Sequence, residues 1–149
     1  MTTVACNRDF MACDLQYTYG DSLAIKGPPK IIELPQQSAN NLFGINKGLI
    51  GFAGNADQWA NVVSWLYDPT EKPPKLKDME LLLLTDKKEI YHASTLANWL
   101  QIKEPCFAIG SGMAWAMSAM SLGKTPGEAI KFSMKFDKNT GKGIKEFKL

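Results

Sequence analysis

The chain has 149 residues, with 17 Lys+Arg against 15 Asp+Glu, and its length suits one domain over residues 1–149. A composition of 45% hydrophobic and 21% charged residues is globular rather than disordered, and a net charge of +2 with no basic stripe argues against a nucleic-acid partner. Apolar runs such as Leu81 to Leu84 are far too short to cross a bilayer, and Arg8 and Asp9 interrupt any signal peptide.

Three cysteines, Cys6, Cys13 and Cys106, form no CxxC pair. That pattern fits a reducing cytoplasm and opposes a disulfide framework or a zinc site. The single histidine, His92, excludes metal sites built on two or more histidines. It reads as a surface residue of a strand, not as a catalytic base. No cofactor and no metal is expected.

Thr2 to Cys6 is β-branched and small, a strand; Asn7-Arg8-Asp9 is a tight turn, and Phe10 to Asp14 returns. Gln16 to Asp21 reads as a polar loop. Lys30 to Leu34 is the next strand, followed by a hairpin of Leu42 to Asn46 and Leu49 to Ala53 about Lys47-Gly48. Asn55, with Gln58 three residues on, opens a helix whose apolar face is Trp59, Val62, Val63 and Leu66. It stops near Tyr67, before Asp68-Pro69. Tyr67 to Asp78 holds three prolines and reads as a surface loop.

Met79 to Leu84 and Glu89 to His92 form a third hairpin, and Thr95 to Leu100 a helical turn or bend. Cys106 to Ile109 is a buried strand closed by Gly110-Ser111-Gly112, where Ser111 is placed to cap the helix from Met113 to Leu122. Thr125-Pro126-Gly127-Glu128 starts a last helix that runs to about Phe136, and Ile144 to Leu149 is a final strand. Antiparallel strands, some apolar on both faces, with helices between them, predict an α+β sandwich of two sheets covered by helices.

The first strand carries chemistry at its start. Removing Met1 gives Thr2 a free α-amino group beside its hydroxyl, a base and a nucleophile in one residue. An α-amine with a pKa of about 7.7–8.0 accepts a proton near neutral pH.

Here the residues resemble a family. Thr2-Thr3-Val4, Ala12-Cys13-Asp14, Lys30-Ile31, Gly51-Phe52-Ala53-Gly54 with Ala56-Asp57, Ala108 to Gly112, and Asp137-Lys138-Asn139-Thr140-Gly141 follow one another as in proteasome β subunits and HslV-type peptidases. These are N-terminal nucleophile hydrolases. The resemblance implies a four-layer αββα fold and a threonine peptidase working as a ring or stacked rings on peptides or unfolded proteins. It implies Thr2 as nucleophile, Lys30 as the active-site ammonium, Asp14 as its carboxylate partner and Gly54 as the oxyanion N–H. Ser111, Asp137 and Thr140 would hold the terminal amine, with Thr140 where a serine is usual. Lys26 competes with Lys30 for the lysine position. Tyr17, Pro28, Phe52 and Ala56 would border an apolar pocket lacking carboxylate or basic groups, which implies cleavage after apolar side chains.

The sequence departs from the family in one place. Family members carry a second long helix after the one headed by Ala56-Asp57, and here it is missing or reduced between Tyr67 and Asp78. That helix pair faces the family's ATPase unfoldase, so its reduction argues against such a partner. Lys142 also breaks an expected glycine pair after Thr140. Two other readings stand beside the peptidase: an inactive proteasome-like assembly subunit, and an amidase of the same class acting on a small amide.

Overall fold

The computed structural model describes residues 2–69 and 72–149. Met1, on which the processing expectation rests, and Thr70 and Glu71 of the proline-rich loop lie outside the described residues. Four strands, β1 (Thr3–Asn7), β2 (Phe10–Asp14), β10 (Cys106–Gly110) and β11 (Ile144–Lys148), make one antiparallel sheet in the order β10-β1-β2-β11. Five more, β5 (Ile31–Glu33), β6 (Gly48–Gly54), β7 (Met79–Thr85), β8 (Ile90–Thr95) and β9 (Asn98–Ile102), make a second in simple sequence order. A separate ribbon, β3 (Gln16–Tyr19) with β4 (Leu23–Lys26), projects from the end of β2.

Three layers of apolar side chains join four layers of structure. Between the sheets lie Val4, Met11, Cys13, Ile31, Leu49, Leu82, Leu84 and Ile109. Outside the larger sheet, Ile50, Phe52, Leu81 and Leu83 meet Trp59, Val62 and Leu66 of α2 (Ala56–Tyr67). Outside the smaller sheet, the alanine-lined face of Ala5, Ala12 and Ala108 packs on α3 (Met113–Ser121) and α4 (Pro126–Ser133). The leucine run of β7 is explained by this arrangement. Successive side chains point to opposite faces, and both faces are covered. Each such leucine contributes about 1.5–3 kcal/mol by leaving water. The sandwich expected from the sequence is therefore the fold observed.

Several local expectations are corrected. Leu42 to Asn46 is not a strand: Leu42 and Phe43 are the last residues of α1 (Gln36–Phe43), which is closed by Gly44 with a φ of 65°. The Ser38 hydroxyl donates to the Leu66 carbonyl, tying α1 to α2. The outer layer thus has two helices, but the second comes from before β6. The described residues between α2 and β7 form no helix, as the prolines require. Gln16 to Asp21 is not a loop, because Gln16–Tyr19 pairs with Leu23–Lys26. Thr95 to Leu100 is neither a helical turn nor a bend; β9 starts at Asn98 and pairs with β8. Asn55 caps α2 by accepting from the Asp57 and Gln58 amides, while the Gln58 side chain accepts from Lys77 N, so the box is half formed. The Thr125–Glu128 box is complete.

Candidate active site

β1 runs down the middle of its sheet, with Thr3 opposite Gly110 and Val4 opposite Cys13. Thr2 continues that ladder, because its carbonyl accepts from Ser111 N at 2.8 Å. Thr2 is therefore held as strand backbone is. Asp14 ends the neighbouring strand, beside Thr3. Lys30 comes from the other sheet, immediately before β5, where its carbonyl accepts from Phe52 N at 3.1 Å. The site sits where one end of the two sheets meets.

Thr2, Asp14 and Lys30 are at most 2% exposed. Lys30 Nζ lies 2.5 Å from Thr2 Oγ1, 2.5 Å from Gln16 O, 3.0 Å from Asp14 Oδ1 and 3.3 Å from Asp14 O. An ammonium has three protons, so these four acceptors share them and none is free. Asp14 Oδ1 accepts from the Thr2 hydroxyl and from Thr3 N at 3.1 Å. Its other oxygen accepts from Gly141 N at 3.0 Å and Gln16 N at 3.3 Å. The carboxylate is saturated with donors, which is what a buried charge requires. Burial pushes the Lys30 pKa below its ordinary 10.5, and the Asp14 charge works against that fall. Lys26 is exposed and belongs to β4, whereas the Lys30 ammonium reaches Thr2.

A second cluster stands behind Thr2. Asp137 Oδ2 accepts from Ser111 Oγ at 2.5 Å and Thr140 Oγ1 at 2.6 Å, and Thr140 Oγ1 is 2.7 Å from Thr3 Oγ1. Ser111 is therefore not the cap expected for α3. The cap position is Gly112, without a side-chain bond, and the Ser111 hydroxyl is turned toward Asp137. Gly110 is required here. Its φ is +96°, and a Cβ on it would come 1.8 Å from the Thr2 carbonyl oxygen. Lys142 takes a φ of 64°, and Gly143 follows at 108°.

The cleft over Thr2 encloses about 160 Å³. Gly54 lines it, as do Tyr17, Phe52 and Ala56. Pro28 does not; its carbonyl accepts from the Tyr17 hydroxyl at 2.9 Å. The apolar lining expected from the sequence is corrected, since Thr18, Asn55, Asp57 and the Lys30 ammonium also border the cleft. His92 is half-buried on β8, with Nε2 3.4 Å from Glu80 Oε1, and Glu80 accepts from Gly110 N at 3.3 Å.

Sequence reasoning missed Thr3, Gln16, Gly110 and Gly141. Thr3, Gly110 and Gly141 lay within motifs already singled out. The Gln16 carbonyl and the Gly141 amide act through backbone, which side-chain chemistry does not reveal.

No protein-family model and no curated protein sequence matches the chain. Solved structures do. BPH from Thiobacillus denitrificans, in complex with epoxomicin, superposes with a TM-score of 0.73 at 14% identity over 99% of this chain and 97% of that one. The eukaryotic HslV from Trypanosoma brucei gives 0.70 at 16% identity over 99% and 98% of the two chains. Anbu, the ancestral β-subunit from Yersinia bercovieri, gives 0.70 at 14% identity over 100% and 81%. The chain thus has the fold of these three proteins, a four-layer sandwich of two antiparallel sheets covered by helices.

Proposed function

We propose that this chain is a threonine-type peptidase in which Thr2, freed at its amine by removal of Met1, is the nucleophile. The observation that carries this reading is the 2.5 Å contact of the buried Lys30 ammonium with the Thr2 hydroxyl oxygen. The adjacent positive charge stabilises negative charge on that oxygen as its proton leaves. The proton passes to the α-amine, and Oγ1 bonds to the peptide carbonyl carbon. The Gly54 N–H faces the resulting oxyanion. Collapse expels the amine product, which takes the proton back, and leaves an ester on Thr2. Water, activated by the same amine, hydrolyses that ester. Ser111, Asp137 and Thr140 hold the turn against which the amine sits. Asp14 keeps Lys30 charged.

The whole of 1–149 is read as one such domain, working as a ring of copies in the cytoplasm. Leu122, 83% exposed at the end of α3, and Phe136, 57% exposed just after α4, support assembly through that face. The mixed lining of the cleft supports no preference for apolar residues before the cut. Incubation with epoxomicin, the ligand of the Thiobacillus protein, tests the chemistry: an adduct on Thr2, absent in Thr2→Ala, is expected.

A further inference from the structure

We propose that Tyr17 is a positioning residue for the Lys30 ammonium, held as an aromatic cover whose π-face fixes the cation against Thr2; this rests on the peptidase reading for its consequence but not for its test.

Three contacts define the cover. Lys30 Nζ lies 4.8 Å from the centroid of the Tyr17 ring, within cation–π range. The Tyr17 hydroxyl donates to Pro28 O at 2.9 Å. Gly27 lies beneath the ring: a Cβ there would come 2.4 Å from Cδ2, so only glycine admits the ring in this position. Gly27, Pro28 and Lys30 are almost consecutive, and the segment that ends in the ammonium therefore wraps around the ring that covers it. Pro28 and Pro29 stiffen that segment, since each proline fixes its own φ. The ring is anchored at its other end by β3, where Tyr17 pairs with Ile25.

This arrangement answers a need of the site. Four oxygens lie within 3.3 Å of the ammonium, and the ring adds a partner that accepts no proton. A cation turned toward an apolar wall would be drawn off Thr2 toward water; a π-face offers it favourable electrostatics without a competing hydrogen bond. The charged and titratable groups facing Lys30 are Asp14 and Cys13 from β2, Tyr17 from β3 and Thr2 at the head of β1.

The test reads the Lys30 proton directly, so it does not depend on turnover. Lysine labelled with ¹³C at Cε is titrated by NMR in wild type, Tyr17→Phe and Tyr17→Leu, with the Lys30 signal identified by its loss in Lys30→Met. Leucine keeps an apolar cover but removes the π-face. The expected result is a Lys30 pKa lowered by about one unit in Tyr17→Leu and restored by phenylalanine. Should Tyr17→Leu fold poorly, mono-, di- and trifluorinated phenylalanines at position 17 keep the shape and weaken the π-face stepwise; the pKa should fall with each fluorine. Equal pKa values across leucine, phenylalanine and the fluorinated rings would overturn the proposal and leave Tyr17 as a steric cover. Loss of peptidase activity in wild type with the titration series as expected would instead overturn the peptidase reading alone.

Discussion

The Lys30 ammonium is seated 2.5 Å from the Thr2 hydroxyl oxygen although the two residues belong to different sheets. Thr2 is the extension of β1, and Lys30 is the residue before β5. The contact is thus made by the packing of one sheet on the other, and anything that shifts the sheets shifts the chemistry. Geometry errors of about 1 Å in such sites cost about a hundredfold in rate.

Breaking the buried pair should be costly to the fold as well as to activity. Lys30 and Asp14 are 2% and 0% exposed, so removing the carboxylate strands a buried charge. Asp14→Ala is expected to lose about 3–5 kcal/mol in urea unfolding. Asp14→Asn, whose one carbonyl oxygen still accepts from either the Thr3 or the Gly141 amide, should lose less.

The pH profile follows from the two groups beside the hydroxyl. Peptide turnover should rise as the α-amine deprotonates, near its ordinary pKa of about 8, and fall as Lys30 loses its charge. Burial holds Lys30 below 10.5, so the alkaline fall should come below that value. The stability consequence has a definite sign. The unfolded chain binds the Lys30 proton more tightly, so burying Lys30 carries a penalty that is fully present at neutral pH. That penalty is relieved as pH rises through the folded pKa toward 10.5. Cys13, pushed up to about 11 by burial, acts in the opposite sense over the same range. The Lys30 part is therefore read as the difference between wild type and Lys30→Met in urea midpoints from neutral to alkaline pH.

Thr2, Asp14 and Lys30 were singled out by the resemblance of their motifs, not by strand boundaries. The fold brings them together because Asp14 closes β2 and Lys30 precedes β5. The outer helix α1 was not legible. Its eight residues include Ser38, Asn40 and Asn41, poor helix formers, and its stability comes from docking on α2 through Ser38. The ribbon of β3 and β4 was missed for a related reason: its strands are short and largely exposed, with no alternation to betray them. Ser111 followed a sound capping rule, but the Asp137 carboxylate offers a stronger partner than the amides of α3.

A pair of glycines separates backbone strain from steric conflict. Gly110 and Gly123 have φ of +96° and +90°, but only Gly110 has an atom, the Thr2 carbonyl oxygen, where a Cβ would go. Gly123→Ala should cost about 1 kcal/mol, the price of the left-handed backbone. Gly110→Ala should cost several times more in thermal unfolding and displace Thr2.

Assembly is tested on the outer helices. Leu122 and Phe136 border the exposed apolar face of α3 and α4. Leu122→Glu with Phe136→Glu is expected to convert a ring to protomers of 16.5 kDa in light scattering. Wild type that already runs at that mass would contradict assembly.

The central claim is that Thr2 bears both the free amine and the reacting hydroxyl. Intact mass and peptide mapping of the purified protein, before and after epoxomicin, test it most directly. The chain should lack Met1 and carry an inhibitor adduct confined to the peptide that begins at Thr2, lost in Thr2→Ala. Met1 retained on every chain, or an adduct that persists in Thr2→Ala, would contradict it.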